Sequence, residues 1–95
     1  MMRQGDVLLV RINAAPTGLK KKDCVLARGE ATGHSHRMVG GTTFADTAGQ
    51  QYVVLEKEGM LLHEEHDQIT VPKGAYKVLL QREYSVVEGI RQVLD

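Results

Sequence analysis

The sequence predicts an all-β fold, a small antiparallel barrel or sandwich. Three observations carry that prediction. Glycine and proline interrupt the chain at short intervals, from Gly5 through Pro16, Gly29, Gly40-Gly41, Gly49 and Gly59 to Pro72 and Gly74. The segments between them are strand-sized and rich in Val, Leu, Ile, Tyr and Thr, which suit a pleated surface better than a helix. In the last of them, Tyr76, Val78, Leu80 and Tyr84 fall on one face and Lys77, Gln81 and Glu83 mostly on the other, as strand alternation requires. A chain of 95 residues has material for one domain, 1–95, and not for two.

The first strand is expected at Asp6–Ile12. Its centre, Val7-Leu8-Leu9-Val10, is apolar on both faces, as in a strand that is central or covered on both sides. Asn13 to Asp23 follows, with Pro16, Gly18 and the run Lys20-Lys21-Lys22, and reads as the longest loop. Strands are then expected at Cys24–Glu30, His34–Val39, Thr42–Ala45, Gln51–Lys57, Met60–His63, Gln68–Val71 and Ala75–Tyr84. Gly40-Gly41 and Lys57-Glu58-Gly59 each lie between apolar runs and read as hairpin turns. In Val71-Pro72-Lys73-Gly74 the proline presets φ for a turn, and the glycine can take positive φ two residues on. Ser85 to Asp95 reads differently. Val86, Val87, Ile90, Val93 and Leu94 recur at helical spacing, while Gly89 weakens a helix by about 1 kcal/mol relative to Ala. A short C-terminal helix and an extended arm packing on a neighbouring subunit both stay open.

With one Phe, three Tyr and no Trp, the core must be aliphatic and small. Small cores are often supported by a metal or by self-association, so a homo-oligomer is expected. Twelve Lys plus Arg balance twelve Asp plus Glu. That balance lacks the basic footprint of a nucleic-acid binder, and the isolated lysine run reads as a solvated loop. No apolar run is long enough to span a bilayer, and the N-terminus carries no signal-peptide pattern. Cys24, the single cysteine, excludes a disulfide within the chain and fits a reducing compartment. A cytoplasmic location with no membrane partner is therefore expected.

The four histidines fall in two tight clusters, Gly33-His34-Ser35-His36-Arg37 and His63-Glu64-Glu65-His66-Asp67. His34 and His36, two apart on a strand, would point to one face and could converge on one ion. His63 and His66, three apart, converge only if the chain turns at Glu64-Glu65. Otherwise His63 alone joins the site. Glu64, Glu65 and Asp67 could ligate or orient an imidazole. All four histidines are candidate ligands for a divalent transition metal: zinc, iron, manganese, nickel or copper. The metal-free alternative is a polar network of paired imidazoles and carboxylates. Ser35 would point away from its flanking histidines, which disfavours a nucleophile–base pair. Arg37 and Arg82 read either as anion binders or, more simply, as salt-bridge partners.

Two resemblances follow from these residues. Gly33-His34-Ser35-His36 and Pro72-Lys73-Gly74 resemble parts of the two cupin motifs, which implies metal-ligand chemistry at His34 and His36. The acid that follows the cupin His-x-His is missing here, and no histidine follows Pro72-Lys73-Gly74. Over most of its length, through Gly-Asp-Val-Leu-Leu, Gly-His-Ser-His, His-Glu-Glu-His, Pro-Lys-Gly-Ala-Tyr and Gln-Arg-Glu-Tyr, the chain resembles a group of small uncharacterised bacterial proteins. Three functional readings result. The first is a metal-binding β domain serving as a binding or self-assembly module. The second is a small cupin-like metalloenzyme with Glu64 or Glu65 as general base. The third is a metal-free structural subunit of a homo-oligomer.

Overall fold

Val7, Leu9, Tyr76 and Val78 alternate with side chains that face the other way, and this alternation folds their segments as strands around one shared core. The computed structural model describes residues 1–29 and 33–81. The strands are β1 (Met2–Gln4), β2 (Val7–Ile12), β3 (Lys20–Lys22), β4 (Val25–Arg28), β5 (Ser35–Val39), β6 (Thr42–Ala45), β7 (Gln51–Leu55), β8 (Gly59–Leu62), β9 (Ile69–Val71) and β10 (Gly74–Leu80). They form a six-stranded antiparallel sheet in the order β1-β2-β10-β7-β6-β3 and a four-stranded antiparallel sheet in the order β4-β5-β8-β9. Val7, Leu9, Val53, Leu55, Tyr76 and Val78 of the larger sheet join Leu26, Met38, Leu61 and Val71 of the smaller one in a single buried cluster. The architecture is therefore sandwich-like, and of the two expected forms the closed barrel is set aside.

The apolar strand at Val7–Ile12 is interior to its sheet, paired with β1 on one side and β10 on the other. Leu8 is buried too, although it lies outside the core cluster. Two strands were not expected. Lys20–Lys22 forms an edge strand on β6 and is not part of a loop. Lys20 and Lys21 are exposed, so this strand carries no apolar alternation to betray it, and lysines on an edge also discourage unwanted pairing. Met2–Gln4 forms the opposite edge of the same sheet.

The two expected hairpin turns are also corrected. Gly40-Gly41 carries the chain from β5 of the smaller sheet to β6 of the larger, and Lys57-Glu58-Gly59 carries it back from β7 to β8. Glycine is needed at both crossings because they touch. A Cβ on Gly40 would lie 3.3 Å from Gly59 Cα, and one on Gly59 would lie 2.5 Å from Val39 O. Val71-Pro72-Lys73-Gly74 is a third crossing, from β9 to β10. The true hairpins are β1–β2, β4–β5, β6–β7 and β8–β9. Glu30, the expected strand end at 82–84, Arg82, and the alternatives of helix or arm over 85–95 lie outside the described residues.

Candidate metal centre

Three chain segments meet at one place: the β1–β2 turn of the larger sheet, and the start of β5 and the β8–β9 loop of the smaller one. Gln4 pairs with Val7, so Gly5-Asp6 is a two-residue turn. Gly5 takes φ 58, a left-handed conformation that suits glycine. Its missing side chain also makes room. A Cβ there would lie 2.7 Å from His66 Nε2 and 3.2 Å from His36 Cε1.

Antiparallel pairing of β5 with β8 brings all four histidines into one cluster. The His63 ring lies 4.3 Å from that of His36, 4.6 Å from His66 and 5.6 Å from His34, centroid to centroid. His36 and His66 face each other nearly parallel at 5.7 Å. The chain bends through Glu64-Glu65, the condition under which His63 and His66 can converge. Two groups have ligand atoms all within 4.8 Å of one another: His36, His63 and His66, and separately His34, His63 and Glu64. His34 and His36, expected as the principal pair, thus fall in different groups, with His63 common to both. The reason is local. β5 begins only at Ser35, so the strict alternation that would align the two does not extend to His34.

His36 is the buried member, at 5% exposure, while His63 is half-buried and His66 exposed. Its Nδ1 lies 2.9 Å from Gln4 Oε1 and its Nε2 lies 3.2 Å from Asp6 Oδ1. Burial is the main reason that its imidazole is held below the ordinary histidine range, and the nearby His63 and His66 act in the same direction. Asp6 pulls the other way and is outweighed. That direction favours the neutral imidazole, the form that ligates metals.

His63 Nδ1 accepts a hydrogen bond from the Glu65 backbone N–H at 3.0 Å. His34 Nδ1 lies 2.9 Å from Glu65 Oε1. Glu64 is committed at both oxygens. Oε1 accepts from the Ser35 N–H at 2.9 Å, and Oε2 accepts from Arg37 Nη1 at 2.6 Å. The Ser35 N–H is the largest of the influences that hold the Glu64 carboxyl at about 2. So low a value makes it a weak base, and its geometry is that of a strut between the β8–β9 loop and β5. Arg37 is accordingly a salt-bridge partner, and Ser35 Oγ accepts from the same guanidinium at 2.9 Å. The Asp67 backbone carbonyl accepts from Gln4 Nε2 at 3.0 Å.

Gln4 and Asp6 escape sequence reading. Their place beside the histidines depends on the β1–β2 hairpin lying against the smaller sheet, which no local pattern encodes. Gly5-Asp6 as a two-residue turn was the one available signal. Two clefts, one of about 620 Å³ bordered by Arg3, Leu8, Gln50 and Leu79 and one of about 480 Å³ beside β4, lie away from the cluster.

The fold and the cluster together define a small two-sheet β protein with a histidine-rich candidate metal centre at one end. The chain belongs to the family described as Domain of unknown function (DUF8820), which matches residues 3–81. No curated protein and no solved structure matches the chain.

Proposed function

We propose that this domain is a transition-metal-binding module whose ion is held by His36, His63 and His66, with Asp6 beside them as a fourth donor. One observation carries the reading: the three ligand nitrogens lie within 4.8 Å of one another. Nitrogens on one tetrahedral ion, each at 2.0–2.1 Å, stand about 3.3 Å apart, so a small inward movement closes the set. Zinc, iron, nickel and copper all suit imidazoles with a carboxylate. Of the two histidines in the cupin-like Gly33-His34-Ser35-His36, only His36 belongs to this set. A binding role is favoured over catalysis because Glu64 is engaged at both oxygens and the two clefts described lie elsewhere. Self-association, through exposed apolar side chains such as Leu79 and Val39, is part of the same proposal.

A metal-free reading has its own support in the pairs His34–Glu65 and His36–Asp6, which already give imidazoles partners. Calorimetric titration of untagged, chelator-treated protein with Zn²⁺ separates the two. The metal-binding reading requires one ion per chain, with His36→Ala and His63→Ala binding at least tenfold more weakly and His34→Ala nearly unaffected. Heat no greater than dilution, in wild type and variants alike, favours the network.

A further inference from the structure

We infer that Gln4 is a positioning residue that fixes the proton of His36 on Nδ1 and so commits Nε2 to a metal ion, an inference that rests on the metal-binding reading above. Gln4 is buried, at 3% exposure, immediately before the Gly5-Asp6 turn. Its amide nitrogen donates to Leu61 O at 2.9 Å and to Asp67 O at 3.0 Å. Both partners are backbone carbonyls, which only accept, so the amide cannot be turned end for end without losing two hydrogen bonds. Its oxygen is thereby left facing His36 Nδ1 at 2.9 Å. An amide oxygen also only accepts, so Nδ1 must carry the hydrogen and, in the neutral ring, Nε2 must carry the lone pair.

That lone pair points toward Asp6 Oδ1 at 3.2 Å. Two acceptors facing each other at this distance repel unless a positive charge lies between them, either a second ring proton, which ion-pairs His36 with Asp6, or a metal ion. With His63 and His66 presenting further nitrogens to the same place, a divalent cation meets the demand. Histidine ligands in metal sites commonly donate their second ring N–H to a carbonyl or carboxylate, which fixes the tautomer and orients the ring. Gln4 does this and more. Leu61 and Asp67 bracket the loop that carries His63 and His66, so one amide holds the buried ligand's tautomer and both ends of the loop that supplies the other two.

The test is the tautomer of His36 in metal-free protein at neutral pH, read by long-range ¹H–¹⁵N correlation of the imidazoles, together with Zn²⁺ affinity. In wild type the Nδ1–H form is expected. Gln4→Leu should shift His36 toward the Nε2–H form and weaken Zn²⁺ binding by about 10–100-fold. Gln4→Glu keeps an acceptor for Nδ1–H but gives up the donations to Leu61 O and Asp67 O, so it should retain the tautomer that Gln4→Leu loses while its affinity falls, which separates the tautomer effect from loss of the loop anchor. A wild-type His36 protonated on Nε2 overturns the inference. So does a folded Gln4→Leu protein with an unchanged tautomer and affinity. If neither variant folds, the wild-type spectrum decides. If wild type shows the Nδ1–H form but binds no Zn²⁺, the metal-binding reading falls and the assignment of the tautomer to Gln4 stands.

Discussion

His36 gathers into one side chain most of what distinguishes this site: burial, a fixed hydrogen-bond partner on one nitrogen and a carboxylate facing the other. Its depressed proton affinity has a consequence for stability. The unfolded chain takes up the proton first, so stability should decline as pH falls below about 6.5. Glu64 acts in a separate window. Its carboxyl is held at about 2 in the fold, so its contribution is present above about 4.5 and is lost as pH falls from there toward 2. Denaturation midpoints measured against pH should show both declines, and Glu64→Gln should flatten only the lower one. His63 offers a sharper probe. Its Nδ1 accepts the Glu65 N–H, and a neutral ring that ligates through Nε2 must protonate Nδ1, while a ring that ligates through Nδ1 loses that acceptor. Either way the Glu65 amide hydrogen bond breaks, and its NMR resonance should shift markedly when Zn²⁺ is added. Gly5→Ala should weaken Zn²⁺ binding, because its Cβ would strike His66 Nε2 and its φ is left-handed.

At the level of strands, position was legible and pairing was not. Alternation and apolar runs located the segments of β2, β4–β10 within a few residues, because burial on a sheet face leaves its mark on the sequence. The crossings at Gly40-Gly41 and Gly59 looked like hairpins because glycine serves both purposes, and only the long-range placement of the sheets tells them apart. Lys20–Lys22 was hidden because an exposed edge strand has no buried face to record. The histidines were legible as clusters, while Gln4 and Asp6 were not, since their role arises from contact between distant segments. The crossings make a stability prediction. Gly41→Ala places a Cβ 2.6 Å from Val54 O at φ 74, adding a steric clash to backbone strain. Gly49→Ala, at φ 88 with nothing within 4 Å, adds strain alone. Chemical denaturation should show a loss of about 1 kcal/mol for Gly49→Ala and clearly more, on the order of 2–4 kcal/mol, for Gly41→Ala.

Across the whole molecule, the candidate centre joins the two sheets at one end, with Gln4 and Asp6 from the larger and the histidines from the smaller. An ion bound there would link elements far apart in sequence and would bind the folded chain in preference to the unfolded one. Free Zn²⁺ at a hundredfold excess over Kd should stabilise the fold by about 2.7 kcal/mol. For a domain of this size that raises the melting temperature by roughly 10–20 °C, and chelator should reverse the gain. No helix among the described residues is long and apolar enough to cross a membrane.

X-ray absorption of the Zn²⁺-loaded, untagged protein reads the ligand set directly. Three imidazole nitrogens at about 2.0–2.1 Å with one or two oxygens are expected, with loss of imidazole scattering in His36→Ala. A shell of oxygens alone, unchanged in His36→Ala, would contradict that set.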